Sequence, residues 1–516
     1  FQRFLPEKWP LTLHGGTGTL QGLVRLAPTA LSIDIGIESD DADIGFRQYR
    51  FDTDLDLAIK LDNPDILTDN TQVAGTFLKL SNARLVKEGS TDTEPAELDF
   101  KINDGVLTLF SKQQKQTTSN MTDMLGLLAD TNTKELLGNS RGLMGFEATV
   151  SSLGWMGVLL GKNHHTKVSG QGLVRGDLQL VAGLPAPGTD VEVVASPLAV
   201  NILDYTARGD GRIGLVVQEG GTDPDWLVTI GLSDAGLMRK QETSPLIHDV
   251  AMELKALVKD VSLEETENAF VLNFKILSAN VSDMSAFNRY FPPESPFVLL
   301  KGTADLTADI ELQRDDATGW VRLNSKNLQA RVEQHTLGAD LLAEIKLSGG
   351  LPAEMIFDIG GSSLLLDKVQ IMGEKQQFQG EYWSARLDLK RGQTTWTAPI
   401  ELELETALSM SDSRPLVALF RNEGGAKWLS SMLIVQDITG TAEVSLANER
   451  LVIPYAQSTS DKIETGAKGV ISEAANNGVF YLRYKKLGAI LKINDGERNV
   501  DIINARKKFD EYRVRQ

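Results

Sequence analysis

The sequence predicts a mainly β protein: one extended, twisted and mostly antiparallel sheet, curled around an apolar groove and accompanied by a few short amphipathic helices. Three observations support this fold class. Apolar and polar residues alternate with a period of two over many segments, which is typical of strands with one dry and one solvated face. The 46 glycines suffice for the many turns that such a sheet needs. Segments in which apolar residues recur at helical spacing are few and short.

The stretch from Gly302 to Thr406 shows the alternation most clearly. Its first run, GTADLTADIEL, places an aliphatic residue at every second position and Thr, Asp or Glu between them. The run LLAEIKLS, which begins at Leu341, repeats the pattern and sets Glu344 and Lys346 against the aliphatic side. The candidate groove-lining residues on the dry side are Leu306, Ala308, Ile310, Leu341, Ala343, Ile345, Leu347, Ile400, Leu402 and Leu404.

Changes in the pattern divide the chain into six predicted segments. Strand-like segments are separated by two insertions, in which apolar residues such as Met121 and Met124, or Trp428 and Leu429, follow helical spacing. The segments are residues 1–110, an N-terminal β-groove segment; 111–165, a helical or loop insertion; 166–280, a middle β-groove segment; 281–413, a central β-groove segment; 414–437, a helical insertion; and 438–516, a C-terminal β segment with a basic tail.

Two local predictions accompany this division. Asp104-Gly105 lies between the strand-like runs FKIN and VLTLF, and this dipeptide predicts a hairpin turn. Ser282 to Tyr290 is predicted to form one helical turn, closed by Pro292-Pro293.

Composition limits the possible functions. The 516 residues include no cysteine, which excludes disulfides, thiolate metal sites and cysteine nucleophiles. The net charge of −18 disfavours nucleic acid, whose phosphates require clusters of Lys and Arg. No run of about 18 apolar residues occurs, so no transmembrane helix is predicted. The tail from Arg483 to Arg515 is locally basic, and we expect it to face an anionic surface or an acidic partner.

The motifs that could carry chemistry are weak. Asp52–Asp56 resembles the start of a calcium loop, but Leu57 stands where such a loop requires glycine; we interpret it as a strand with an acidic face. His164-His165 has no partner at ligand spacing, which indicates a polar loop. Gly16-Thr17-Gly18 and Gly360-Gly361-Ser362-Ser363 match neither a phosphate loop nor a nucleophile elbow and are interpreted as turns or bulges. The sequence therefore predicts no enzyme, no metal site and no cofactor.

The apolar face of a large sheet must be covered. A second sheet could cover it, as in a sandwich, or helices could, although few are legible in this sequence. The remaining option is a sheet that curls along its length, so that the apolar atoms of a ligand fill its dry interior. That option predicts a lipid-binding groove.

Three segments carry a resemblance to a known family. They are WPLTLHGGTGTLQGLVRL at 9–26, VSDMSAFNRYFPPESPFVLLKGTADLTADIEL at 281–312 and ITGTAEVSLANERLVIPYAQSTSD at 438–461. In these Gly-led strands, and in its hydrophobic alternation and short helices over most of its length, the chain resembles the AsmA-like family of Gram-negative envelope proteins, which are bridge-like lipid transport proteins. The resemblance implies a periplasmic β-taco with a hydrophobic lumen, an inner-membrane anchor ahead of Phe1, and phospholipid transport in outer-membrane biogenesis.

We therefore expect a lipid-binding conduit in the periplasm of a Gram-negative bacterium. Each CH₂ group exposed to water costs about 0.8 kcal/mol, so a sixteen-carbon acyl chain faces roughly 12 kcal/mol, most of which an apolar groove would remove. The expected partners are phospholipids or other acyl lipids and the inner and outer membranes, contacted through the anchor and partner proteins. The alternative is a structural envelope-assembly scaffold whose sheets pack on themselves and bind protein partners. An open apolar channel favours the conduit, and a closed core favours the scaffold.

Overall fold

Alternating strands dominate the computed structural model, which is mainly β, with its strands in one large antiparallel sheet. This part of the predicted fold class is confirmed. The structure describes residues 11–46, 49–65, 67–86, 96–110, 122–123, 126, 135, 138–154, 167–221, 224–239, 245–258, 271–291, 295, 297–313, 316–332, 335–373, 377–397, 399–415, 418, 434–448, 450–472, 476–494 and 497–514.

The strands follow one another closely along the chain. The first twelve are β1 (Leu11–Gly15), β2 (Gly18–Leu26), β3 (Leu31–Phe46), β4 (Tyr49–Asn63), β5 (Thr71–Gln72), β6 (Phe77–Val86), β7 (Ala96–Thr108), β8 (Arg141–Val150), β9 (Lys167–Val181), β10 (Leu184–Pro185), β11 (Asp190–Ile202) and β12 (Tyr205–Glu219). The next ten are β13 (Asp225–Arg239), β14 (Ile247–Val258), β15 (Val271–Val281), β16 (Phe297–Gln313), β17 (Asp316–Val332), β18 (His335–Leu351), β19 (Ile356–Asp358), β20 (Ser363–Met372), β21 (Gln377–Gln379) and β22 (Ser384–Thr395). The last seven are β23 (Glu401–Asp412), β24 (Gln436–Ala447), β25 (Arg450–Thr459), β26 (Ile463–Ile471), β27 (Asn476–Tyr484), β28 (Leu487–Asn494) and β29 (Glu497–Asp501).

The chain divides into two compact units. Unit 1 comprises Phe1–Ala235 and Glu253–Leu272, and unit 2 comprises Gly236–Met252 and Asn273–Gln516, so β14 contributes residues to both. The six predicted segments are a finer division than these two units and stay a prediction.

Unit 1 contains a run of long strands in which neighbours in sequence are neighbours in the sheet. β2, β3, β4, β6, β7, β8 and β9 pair antiparallel in that order, and β11 pairs with both β9 and β12. Most of these neighbouring strands follow one another after short connections, whereas 32 residues separate β7 from β8 and 16 separate β8 from β9. Short β5 and β10 pair at the strand ends.

Unit 2 repeats this arrangement over a longer series. β16, β17, β18, β20, β22 and β23 pair antiparallel in order, and β24 to β29 continue the series. β19 pairs with β18 and β22 beside the end of β20. The strands of unit 2 from β16 to β29 thus form one continuous series of neighbours in the sheet.

Short helical elements accompany the strands of unit 2. A 3-10 helix over Met284–Tyr290 confirms the predicted helical turn; Asp283 caps its first turn through the backbone N–H of Ser285. The side-chain amide of Asn288 exchanges two 2.8 Å hydrogen bonds with the backbone of Leu299, which fixes the helix to β16. A second 3-10 helix covers Pro352–Glu354, and an α-helix, α1, covers Ala505–Glu511.

The hairpin predicted at Asp104-Gly105 is wrong. β7 runs through this dipeptide, and its pairing with β8 shifts register between Ile102 and Asp104, which is a β-bulge. The bulge frees backbone groups for a neighbouring loop: the carbonyl of Gly105 accepts from the N–H of Val73, and that of Ile102 accepts from the N–H of Gly75. The glycine therefore permits a bend within one strand rather than a reversal of the chain.

Several predicted features lie outside the described residues. They include His164-His165, the helical apolar positions Met121, Met124, Leu125 and Leu128, the run Trp155–Leu160, and the apolar residues at 416–417, 419–420 and 428–433.

Candidate functional site

The face predicted to be dry is continuous across six strands of unit 2. In antiparallel strands, directly opposed residues project to the same side of the sheet. Register aligns one such residue from each of β16, β17, β18, β20, β22 and β23, five of them leucine. This leucine row consists of Leu306, Leu323, Ala343, Leu364, Leu387 and Leu408.

Parallel rows on the same face bring together seven of the ten candidate residues. Ala308 and Ile345 are both opposed to Val321 on β17, and Ile310 and Leu347 are both opposed to Gly319. Leu341 is opposed to Ser325 on one side and to Leu366 on the other. β17 thus lies between the two candidate strands, and its own aliphatic residues complete the surface.

Of the three remaining candidates, Leu402 and Leu404 lie on the same side of β23 as Leu408 of the leucine row, and Ile400 is placed differently. Leu404 is opposed to Gly392 on β22 and to Val444 on β24, and Leu402 is opposed to Thr394 and Leu446. Ile400 precedes β23, which starts at Glu401, and its backbone N–H donates to the carbonyl of Tyr290 at 3.0 Å. The structure therefore attaches Ile400 to the 3-10 helix rather than to the strand alternation.

The leucine row is only partly shielded from solvent. Leu306 and Ala343 are each 9% exposed, whereas Leu323, Leu364, Leu387 and Leu408 are half-buried. Ile310, Leu341, Ile345 and Leu347 are also half-buried. Since a packed core normally buries such side chains almost completely, room remains for additional apolar atoms on this face.

A second set of opposed residues, in unit 1, contrasts with this face. We call it the buried row: Ala148 on β8, Val174 on β9, Val193 on β11 and Ile213 on β12. Val193 and Ile213 are both 0% exposed, and the other two are also buried. The same strand pattern thus occurs in a partly shielded and in a fully shielded form.

The opposite face of β16 to β20 is polar and carries cross-strand ion pairs. Arg322 donates to Glu344 at 2.9 Å, and this hydrogen bond is the main reason why the pKa of Glu344 is lowered. Asp340 accepts from the backbone N–H of Asn327 at 3.0 Å and from Lys368 at 2.9 Å, and both contacts lower its pKa, the backbone one more. The two faces therefore differ in polarity, although the polar face also holds the opposed pair Leu342 and Leu365.

A hydrophobic cluster adjoins the leucine-row face. The indole N–H of Trp383 donates to the carbonyl of Asp412 at 2.9 Å, which satisfies its polar group inside an apolar environment. The cluster gathers buried side chains of β18, β20, β23, β24 and β26 at one end of these strands. Its buried members are Ala339, Val369, Ile371, Trp383, Met410, Val435, Ile438 and Ile463. The leucine row lies further along the same strands.

A depression of about 870 Å³ lies over β22 to β24. Glu403, Glu405 and Glu443 line it together with Arg391 and Gln393, and these residues belong to the polar rows of the sheet. Leu404 is the one candidate residue among its lining. Val444 and Pro454 also line it, so the depression is mixed in polarity, and it contains no member of the leucine row.

The weak motifs of the sequence occupy turns and strands. Ser362 is buried in the turn between β19 and β20, where its hydroxyl donates to the carbonyl of Ile359 at 2.6 Å. Gly16, with φ +118°, lies between β1 and β2, which both pair antiparallel with β3 in successive register, so Gly16-Thr17 interrupts the ladder like a bulge and does not reverse the chain. Asp41 accepts from the N–H of Thr17, which lowers the pKa of Asp41. Asp52–Asp56 lies within β4, as interpreted from the sequence.

Four members of the leucine row were missed from the sequence. Leu387 and Leu408 belong to short alternating runs, ARLDLK and ALSMSD, which carry the same signal as the candidate strands. Leu323 alternates with Arg322 and Asn324 and could have been found in the same way. Leu364 lies in the run Leu364–Leu366, where consecutive leucines hide which face each occupies, and only register resolves it.

Comparisons with known proteins do not identify the chain. No model of a protein family and no curated protein matches it. Within the described residues, no group of three or more His, Asp or Glu is arranged to hold a metal ion. None of the described helices has both the length and the apolar character needed to cross a bilayer.

Proposed function

We propose that the protein binds phospholipids or other acyl lipids on the leucine-row face and shields their acyl chains in an apolar β-groove while they cross the periplasm between the inner and outer membranes of a Gram-negative bacterium. The single observation that carries the proposal is the partly shielded leucine row across six strands. The periplasmic setting and the groove shape, a β-taco, rest on the resemblance to the AsmA-like family.

The physical basis of the proposed lipid binding is the burial of apolar surface, with no chemical reaction. A half-buried leucine still exposes methyl and methylene groups, and each CH₂ removed from water contributes about 0.8 kcal/mol. Acyl chains need no directed hydrogen bonds, so a row of aliphatic residues suffices to hold them. Head groups stay hydrated at the groove edge, and neither catalytic side chains nor a cofactor is required.

Ile345→Glu tests the proposal directly. Ile345 is half-buried and adjoins the leucine row through Val321, so the glutamate places a charge where acyl chains are to lie. An unpaired charge in an apolar environment is costly, so lipid is expected to be excluded. The measurement is mass spectrometry of lipid that co-purifies with the folded protein, with circular dichroism and a thermal melt as folding checks.

Lys346→Glu is the matched control, because Lys346 is exposed and the next residue on β18. We expect it to retain bound lipid and stability. A folded Ile345→Glu protein that has lost its lipid supports the conduit. Unchanged lipid in that protein, or wild-type protein without any acyl lipid, would contradict the proposal.

The alternative function is an envelope-assembly scaffold with self-packed sheets and protein partners. The observation that favours it is the buried row, since fully buried aliphatic residues on several strands are typical of a packed core. The same experiment separates the two: if Ile345→Glu unfolds the protein as a core substitution does, the leucine-row face is a core and the scaffold is favoured.

A further inference from the structure

Two turns at one end of unit 2 expose large aliphatic side chains, with lysines nearby. Leu487 is 77% exposed, Ile502 is 74% exposed and Ile503 is 68% exposed. We call the turns that carry them, together with the adjoining turn at Asp461-Lys462, the C-terminal tip. Aliphatic residues this exposed in a chain with a net charge of −18 require an explanation.

Backbone contacts show that the three turns are neighbours. The N–H of Lys485 donates to the carbonyl of Lys462 at 3.0 Å, which joins the turn before β26 to the turn between β27 and β28. A Cβ atom placed on Gly488 would lie 3.7 Å from the Cβ of Ala505, so the turn between β27 and β28 also adjoins the start of α1. The turn that carries Ile502 and Ile503 leads directly into that helix.

The turn before α1 is held in place by polar contacts. Asp501 accepts from the backbone N–H of Ile503 at 2.8 Å and also pairs with Lys508. α1 is anchored beneath it by Phe509, which is fully buried and stacks on Tyr481 with ring centroids 5.6 Å apart. The two isoleucines are thus fixed outward by an ordered structure.

The charges around the exposed aliphatic residues are mainly positive. Lys462, Lys485 and Lys486 are exposed in these turns. Of the nearby carboxylates, Asp461 lies 3.3 Å from Lys462, and Asp501 is paired with Lys508. The tip is therefore locally cationic on a strongly acidic chain.

Most of the other basic residues that the sequence attributes to the tail are engaged within the protein. Arg483 and Arg506 both pair with Glu464. Arg506 also contacts Asp510, and Lys507 lies 3.8 Å from Glu511. The basic residues that could contact the expected anionic surface or acidic partner are therefore mainly the lysines of the tip.

We infer that the C-terminal tip is a docking site for an anionic lipid bilayer, into which Leu487, Ile502 and Ile503 insert while Lys462, Lys485 and Lys486 contact phosphate groups. Exposed aliphatic residues ringed by lysines match the apolar interior and the negative surface of such a membrane. A protein partner would supply apolar contacts as well, but the clustering of cations around them favours anionic lipid. This inference does not depend on lipid transport along the leucine row.

The test is co-sedimentation with vesicles of phosphatidylcholine alone and with vesicles that also contain phosphatidylglycerol. The wild-type chain is expected to bind the anionic vesicles, and less so in high salt. Ile502→Ser with Ile503→Ser is expected to weaken binding by about tenfold or more, because two isoleucines no longer insert. Lys485→Glu with Lys486→Glu is expected to weaken it by about fivefold per lysine or more.

Val106→Ser with Leu143→Ser is the matched control. These residues are directly opposed on β7 and β8, are 46% and 47% exposed and belong to unit 1, so binding is expected to stay unchanged. No binding of the wild type to anionic vesicles, or equal binding by the wild type and both tip variants, would overturn the inference.

The two proposals fail independently. Tip variants are expected to retain co-purified acyl lipid, and Ile345→Glu is expected to retain vesicle binding. Loss of vesicle binding in Ile345→Glu with an intact tip would show that vesicle association proceeds through the leucine-row face and would overturn the tip as the docking site.

Discussion

The leucine row of unit 2 and the buried row of unit 1 are built from the same kind of strand. Both consist of aliphatic residues opposed across successive antiparallel strands, with polar residues between them. They differ in shielding: Val193 and Ile213 are inaccessible to solvent, whereas Leu364 and Leu387 are half-buried. Alternation therefore specifies which side of a strand is dry, but not what covers that side.

Small residues on the strands around the buried row allow its aliphatic side chains to pack closely. A Cβ atom on Gly172 would lie 3.0 Å from Cγ1 of Val193, and a side chain on Gly211 would overlap Leu198. Glycine at these positions lets neighbouring aliphatic side chains lie flat and close. The six positions of the leucine row hold five leucines and one alanine, and the larger side chains form a broader apolar surface.

The largest expected effect is that of a charge in the buried row. Val193→Glu places a carboxylate at a position with no solvent access, and we expect the free energy of unfolding to fall by about 4 kcal/mol or more, or the protein not to fold. Chemical denaturation followed by circular dichroism measures this. A Val193→Glu protein as stable as Ile345→Glu would remove the distinction between the two rows.

A truncation of one leucine in each region sharpens the same contrast. Leu198 on β11 is fully buried, so Leu198→Ala is expected to lower the free energy of unfolding by about 3 kcal/mol through lost burial and a residual cavity. Leu364→Ala removes a half-buried side chain and is expected to cost about 1 kcal/mol. Denaturant midpoints of the two variants provide the measurement, and equal costs would indicate that both faces are packed cores.

Much of the fold follows from period-two alternation. β16, β18 and β23 could be predicted because their aliphatic residues are separated by Asp, Glu, Lys or Thr, and the structure contains all three strands. The bulge in β7 could not be predicted, because Asp-Gly suits both a tight turn and a bend within a strand. Only the pairing of β7 with β8 and with the loop after β5 distinguishes the two outcomes. Local sequence specifies conformational preference, and partners on other strands decide between the outcomes.

The candidate site was predictable only in part. Ala308, Ile345 and their neighbours are on one face, as alternation requires. The leucine row as a continuous surface depends on register between opposed residues up to 23 positions apart in sequence, such as Leu364 and Leu387, which no local pattern encodes. The C-terminal tip combines Lys462, Lys485 and Ile502 from three separate turns. The basic composition of the tail therefore predicted a positive charge, but not which turns lie together.

The smallest expected effect concerns the polar side behind the leucine row. Asp340, whose side chain is 24% exposed, accepts from the N–H of Asn327 and pairs with Lys368, so Asp340→Asn is expected to lower the free energy of unfolding by about 1 kcal/mol at neutral pH. Glu192→Gln is the control, because Glu192 and Arg212 lie 3.3 Å apart on exposed side chains and such pairs contribute about 0.5 kcal/mol or less.

The lowered pKa of Asp340 determines how the effect of Asp340→Asn on stability changes with pH. The pKa of Asp340 is lowered in the folded protein, so the carboxylate stabilises the fold fully above its unfolded pKa of about 3.9 and progressively less as the pH falls through the lower folded value. The difference between wild type and Asp340→Asn is therefore expected to be constant near neutrality and to shrink below about pH 4. Denaturation measured across this range checks it. A difference that persists unchanged in acid would mean that the substitution disturbs the packing of β18 itself, and the leucine-row face would then be as sensitive to small changes as the buried row.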